Sequence, residues 1–305
     1  MTAARYTIID LGSNSFHMLT VTKQDNGFNV QSKHKQKVRL AAGLNGQKQL
    51  NQATMEKGWI CLQNFKKLLD EIQPVCLLVT ATAALRIAVN NQEFLSKAQQ
   101  ILEQPINLIS GIQEAETIFK GVSFTEKTDK QLLVLDIGGA STELVLGKGH
   151  DVHVANSLNI GCVTWLNHYF ADGLLNEYNF SNAINAAKQV IVDVKPQYTK
   201  YDWQLTLGAS GTIQAVNEVN QKQKLSEHLS YELLLAIKQQ CIQNQSIKTL
   251  NIAGLKKSRE PVFASGLAIL IALFESLGIN TMQLSNGALR EGLISMMFSG
   301  QTNFS

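Results

Sequence analysis

One short pattern occurs twice in this chain, and it limits the fold more than any other feature. Tyr6-Thr7-Ile8-Ile9-Asp10-Leu11-Gly12-Ser13-Asn14-Ser15-Phe16-His17-Met18-Leu19 lies near the start, and Leu132-Leu133-Val134-Leu135-Asp136-Ile137-Gly138-Gly139-Ala140-Ser141-Thr142-Glu143-Leu144-Val145-Leu146-Gly147 near the middle. Each is an apolar run, an aspartate, a turn of glycine and hydroxyl residues, and a second apolar run. A continuous apolar run reads as a strand buried on both faces. Each copy is therefore read as a strand, a tight turn and a second strand. Glycine in the turn permits positive φ and lets a ligand approach the backbone. Free N–H groups and hydroxyls there form an anion cradle, and an aspartate at the strand end suits a hydrated Mg²⁺ beside that anion. A plain β-hairpin explains either copy alone. Two copies, each opening an α/β half, point to two lobes facing a phosphate-filled cleft.

Both stretches resemble motifs of the exopolyphosphatase/guanosine pentaphosphate phosphohydrolase (Ppx/GppA) family. Further matches follow in order: Ala83-Ala84-Leu85-Arg86, Ser110-Gly111-Ile112-Gln113-Glu114-Ala115, Gly208-Ala209-Ser210-Gly211-Thr212 and Leu284-Ser285-Asn286-Gly287-Ala288-Leu289-Arg290-Glu291-Gly292. The resemblance runs through nearly the whole chain. It implies an α/β fold of two actin-like (ribonuclease H-like) lobes with an interlobe cleft, within the sugar kinase/Hsp70/actin superfamily. The lobes would be residues 1–127 and 128–305, joined by a polar hinge at 126–130, with a last helix at 288–298 docking back on the first lobe.

The resemblance further implies a hydrolase that releases orthophosphate from a terminal phosphoanhydride by Mg²⁺-assisted attack of water. Glu114 would orient and deprotonate that water, while Asp10, Asp136 and Glu143 would handle the metal. Gly12, Ser13, Asn14, Ser15, Gly138, Gly139, Ser141, Thr142, Gly208 and Ser210 would cradle phosphate, with Lys37, Arg39 and Arg86 as basic contacts. The implied substrates are inorganic polyphosphate or guanosine pentaphosphate, the latter giving the tetraphosphate. Three positions depart from the family pattern: Glu116 replaces an arginine, Ala140 a glycine and Asn286 an aspartate. Alanine tolerates positive φ poorly, so Ala140 puts the second turn in question.

Several of these residues have ordinary readings. Glu114 falls in the first turn of a helix, where the helix dipole favours a carboxylate anyway. Lys33, Lys35, Lys37 and Arg39 alternate in a strand read over 28–40, so all project from one side. Such a row is either a solvated edge or a face that needs an anion to offset its repulsion. It favours polyphosphate over the nucleotide. His17 and Cys162 read as core packing, and Arg259 as a solvated loop residue or an extension of the basic row.

The chain of 305 residues is 45% apolar with net charge +3. That suffices for two lobes and is too weakly basic for a general nucleic-acid binder. Its four cysteines, Cys61, Cys76, Cys162 and Cys241, are scattered, as in a reduced cytoplasmic protein. No secretory pattern opens the chain. The longest apolar run, 262–274, is shorter than a bilayer span and reads as a core helix. Oligomeric state is open, a homodimer included. Two other functions share these motifs: an ATP-dependent kinase of the same superfamily, and a non-hydrolytic sensor of polyphosphate or alarmone nucleotides.

Overall fold

The computed structural model describes residues 3–25, 27–301 and 304. Its first sheet has the strand order β3-β2-β1-β4-β5, from β1 (Arg5–Leu11), β2 (Phe16–Gln24), β3 (Gly27–Gln36), β4 (Cys76–Ala81) and β5 (Asn107–Leu108). The first three strands are antiparallel, and β4 and β5 continue parallel to β1. Four helices serve this sheet: α1 (Gln52–Ile72), α2 (Ala83–Ile87), α3 (Asn91–Leu102) and α4 (Gly111–Glu126).

The second sheet repeats the plan with β6 (Gln131–Ile137), β7 (Thr142–Lys148), β8 (Asp151–Leu158), β9 (Leu205–Gly208), β10 (Leu229–Ser230) and β11 (Thr281–Leu284). Its order is β8-β7-β6-β9-β11-β10. Again a three-stranded meander leads into parallel strands. The second half's helices are α5 (Cys162–Tyr169), α6 (Glu177–Val192), α7 (Lys195–Tyr198), α8 (Gly211–Gln223), α9 (Tyr231–Gln243), α10 (Glu260–Leu277) and α11 (Leu289–Phe298). The duplicated sheet is the actin-like architecture, and β1 and β6, the strands carrying the two aspartates, hold equivalent places in it.

Local chemistry explains the elements. Asn51 caps α1 by accepting from the Thr54 N–H at 2.9 Å. The α1 face that carries Met55, Trp59, Leu62, Phe65 and Leu69 is buried. Ser110 and Gln113 form a reciprocal capping box on α4. Leu132, Leu133, Val134 and Leu135 of β6 are fully buried, as a strand covered on both faces requires. Helix α10 is apolar all round and long enough to cross a membrane. Here fourteen of its residues are buried, from Val262 to Leu277, inside the second half.

The basic strand ends sooner than its sequence suggests. Strand β3 stops at Gln36. Arg39 then takes a left-handed conformation, φ 61°, and opens a 3-10 turn at Leu40–Gly43. Lys37 and Arg39 therefore lie past the strand, with Val38 and Leu40 buried beside them.

The chain passes from the first sheet to the second through 127–130 and returns through 285–288, where α11 packs on α4 and β1. The two crossings touch: the Glu126 carboxylate accepts from Ser285 Oγ at 3.3 Å and from the Asn286 N–H at 2.9 Å. A shared apolar cluster joins the halves, with Ile8 and Leu19 from the first sheet, Val134 and Val145 from the second, and Phe119 and Leu293 from the helices between them.

Candidate active site

Strand register builds the floor of a cleft between the sheets. In the first sheet Asp10, His17 and Lys35 are direct cross-strand neighbours on β1, β2 and β3. In the second sheet the equivalent row is Asp136, Glu143 and Ser157 on β6, β7 and β8. Asp10, Asp136, Glu143 and Glu114 line one cleft of about 850 Å³ together with both turns.

The turns are tight, but not through positive φ, which none of Gly12, Gly138, Gly139 and Ala140 adopts. Their glycines answer to space. A Cβ on Gly139 would stand 2.9 Å from Ser13 Cβ in the opposite turn, so the two turns meet there. Ala140 is therefore accommodated, buried in the first half's core cluster.

Each carboxylate has a different setting. Glu114 accepts from Arg86 at 2.9 Å. Arg86 also donates to the Ile109 carbonyl at 3.0 Å, which fixes the guanidinium. Burial raises the Glu114 pKa, and Arg86 opposes that rise. Glu143 accepts from Ser141 Oγ at 2.7 Å and Ser157 Oγ at 2.8 Å. Burial, then the charges of Glu114 and Asp136, push its pKa well up. Burial also raises Asp10 and Asp136 to about 7, with the Arg290 guanidinium acting against it in both. Asp10 Oδ1 is buried and has no hydrogen-bond partner. A buried carboxylate oxygen without a donor is costly in isolation.

These carboxylates are an all-oxygen donor set of one sign, which suits a hard divalent cation. Among the described residues no three acidic, His or Cys groups stand close enough to ligate one ion directly.

The other expected phosphate ligands divide. Gly12, Ser13, Asn14, Ser15, Gly138, Gly139, Ser141 and Ser210 line the cleft. The Ser13 hydroxyl also accepts from the Ala84 N–H at 3.0 Å, fastening the first turn to α2. Five expected contacts lie elsewhere. Thr142 is fully buried, its hydroxyl donating to the Ile160 carbonyl at 2.6 Å. Gly208 is closed in by Ile213 and Met282. Arg86 serves Glu114. Lys37 and Arg39 line a smaller neighbouring pocket of about 390 Å³ with Asn14, Ser258 and Val262, and Lys37 Nζ donates to the Ser258 carbonyl across the interlobe gap. Of the departures, Asn286 is exposed, and neither it nor Glu116 lines the cleft.

The cleft also holds groups not expected there: His17, Lys35, Thr82, Arg259 and Arg290. Arg259 lies against the start of α8, where a Cβ on Gly211 would collide with its guanidinium. Arg290 Nη1 lies 3.2 Å from His17 Nδ1. Burial, then Arg290 and Lys35, lower the His17 pKa to about 3, so its ring stays neutral. His17 was findable in the sequence: a four-residue turn between Leu11 and Phe16 places it opposite Asp10. Cys162 lines the cleft too, but burial raises its thiol to about 11, which makes it inert packing.

A model of the Ppx/GppA phosphatase family matches residues 19–299. The chain is 48% identical over 289 residues to a guanosine-5'-triphosphate,3'-diphosphate pyrophosphatase of Aeromonas hydrophila, covering 95% of this chain and 58% of that protein. It is 46% identical over 294 residues to the protein of the same name in Photobacterium profundum, covering 96% and 59%. The chain thus spans somewhat under two thirds of the length of these relatives. Among solved structures, an exopolyphosphatase from Cytophaga hutchinsonii superposes with a TM-score of 0.87 at 23% identity, covering 97% of this chain and 98% of that one. The Aquifex aeolicus PPX-GPPA enzyme gives 0.77 at 23%, covering 95% and 98%. Both share the fold.

Proposed function

The chain belongs to the Ppx/GppA phosphatase family, and from that premise we propose that it hydrolyses a terminal phosphoanhydride, releasing orthophosphate. The carrying observation is the meeting, in one cleft, of two glycine turns with four carboxylates, one of them held by its own arginine. Phosphoryl transfer asks for in-line positioning and charge neutralisation more than for covalent chemistry. The N–H groups and hydroxyls of the two turns hold the phosphates. Glu114, a stronger base for being buried and hydrogen-bonded by Arg86, orients the water and accepts its proton. The water oxygen forms the new P–O bond, and the bond to the bridging oxygen breaks with its electron pair on the departing phosphate. Asp10, Asp136 and Glu143 would hold hydrated Mg²⁺, which supplies charge neutralisation on the phosphoryl oxygens.

Guanosine 5'-triphosphate 3'-diphosphate is the substrate favoured by the names of the relatives at 46–48% identity. Polyphosphate is the second reading, favoured by the cations that run from Arg290 past Lys35 and Arg259 to Lys37 and Arg39. The departures that motivated a non-hydrolytic sensor weigh little, since Ala140 fits its turn and Glu116 and Asn286 stand outside the cleft.

The test is phosphate release from both substrates with Mg²⁺, for the parent and Glu114→Gln. An active parent and a loss of roughly a hundredfold or more in the variant are expected, on the scale of general base catalysis. No release from either substrate by the parent would refute the hydrolase reading, and tight binding without release would favour the sensor.

A further inference from the structure

Like Lys35 and Arg259, the other cations of the cleft, Arg290 has no carboxylate within 4 Å among the described residues. What sets it apart is that it lines the cleft with both aspartates and is the one cation whose charge opposes the raised pKa of both Asp10 and Asp136, while being paired with neither.

What holds it there is His17. A guanidinium has five donors and no acceptor, so the 3.2 Å contact between Arg290 Nη1 and His17 Nδ1 must run from arginine to imidazole. The ring proton is then on Nε2. This bond uses one of the five N–H groups and leaves the rest of the fork for an anion. A neutral ring orients the arginine without consuming its charge.

The backbone beneath Arg290 is also fixed. Helix α11 packs on α4 so closely that a Cβ on Gly292 would stand 1.9 Å from the Thr117 carbonyl oxygen, and one on Gly121 2.0 Å from that of Ala288. Helix α4 carries Glu114. The seam therefore sets the distance between Glu114 and Arg290, although the two are far apart in sequence.

We propose that Arg290 is a catalytic residue whose guanidinium contacts the oxygens of the phosphoryl group under attack, and that His17 is the positioning residue that aims it. The assignment rests on the hydrolase reading above. As the P–O bond to the bridging oxygen breaks, negative charge spreads over the phosphoryl oxygens and the departing phosphate. Arg290 offsets it by hydrogen bonding and transfers no proton. An arginine placed in this way is worth the most when charge develops, so its loss shows in kcat more than in KM.

The experiment compares the parent, Arg290→Ala, Arg290→Lys, His17→Leu and His17→Asn. For Arg290→Ala, kcat is expected to fall about a hundredfold to a thousandfold, with a smaller change in KM and with partial recovery on adding guanidinium ion. Arg290→Lys should keep part of the activity. His17→Leu should lose about tenfold in kcat, and His17→Asn, whose amide oxygen can replace Nδ1 as acceptor, should regain most of it. A purely structural arginine would not be rescued by free guanidinium. Retention of kcat within a few-fold in Arg290→Ala, or a loss restored neither by guanidinium nor by lysine, overturns the proposal.

A second arm needs no turnover: calorimetric binding of orthovanadate with Mg²⁺ to the parent and Arg290→Ala. Weaker binding by the variant supports the contact, and equal binding overturns it. If the parent releases no phosphate from either substrate, the hydrolase reading fails, while weaker vanadate binding by the variant still assigns Arg290 to a phosphoryl-like anion.

Discussion

Replacing Asp10 by asparagine should stabilise the metal-free protein while destroying its activity. Asp10 is buried, one of its oxygens has no donor, and its pKa rises from 3.8 to about 7, chiefly through burial. A carboxyl whose folded pKa lies above its unfolded one holds an extra proton when folded. Its ionisation therefore works against the fold as pH climbs from about 4 to about 7. At about 1.4 kcal/mol per unit, the cost near pH 8 is about 4 kcal/mol, and near pH 5 about 1.5 kcal/mol. Asparagine has the same shape and no charge, and its amide can donate to the neighbouring carboxylates. Urea denaturation in EDTA, at both pH values, should thus show Asp10→Asn more stable than the parent, by a margin that widens by roughly 2.5 kcal/mol between pH 5 and pH 8. An equal margin at both values, or a variant less stable than the parent at pH 8, would refute the reasoning. With saturating Mg²⁺ the margin should shrink, because the ion stabilises the parent by mass action.

Three other outcomes follow from particular contacts. Arg86→Gln removes the group that opposes the raised pKa of Glu114, so the acid limb of the kcat–pH profile should move to higher pH; stopped phosphate assays across pH would show it. Gly292→Ala puts a methyl against the Thr117 carbonyl and should cost about 2 kcal/mol, read as a lower urea midpoint with unchanged slope. Gly139→Ala pushes the second turn against Ser13 and should raise KM several-fold with little loss of fold, measured by steady-state kinetics and circular dichroism.

The parts of the site that follow a two-residue period were legible in the sequence. Apolar strands running into Asp-x-Gly turns located Asp10 and Asp136, and the second strand of the later copy located Glu143. Glu114 was read in the first turn of a helix, and the structure adds the Ser110–Gln113 capping box that starts it. What escaped was set by tertiary contact. Arg290 reaches the cleft only because α11 returns to the first lobe and glycines let it pack tightly. Arg259 reaches it because Gly211 has no side chain in its way. The basic strand was read too long: β3 stops at Gln36, and Arg39 turns left-handed to open the 3-10 turn that follows. Ala140 was suspected from a conformational argument that the turn does not invoke, because its glycines are there for clearance.

The two chain crossings, joined through Glu126, Ser285 and Asn286, have a mechanical consequence. Two adjacent connections held to one another behave as the pivot of a pair of tongs: they permit swinging about one axis and resist sliding or twisting. Helix α4 runs from Glu114 near the cleft to Glu126 at this pivot, a span of about 18 Å at 1.5 Å per residue. The Lys37 to Ser258 contact sits between the jaws. A phosphate that competes for Lys37 would displace the Ser258 carbonyl and remove that tie between the jaws, leaving the crossings and the shared apolar cluster to hold them.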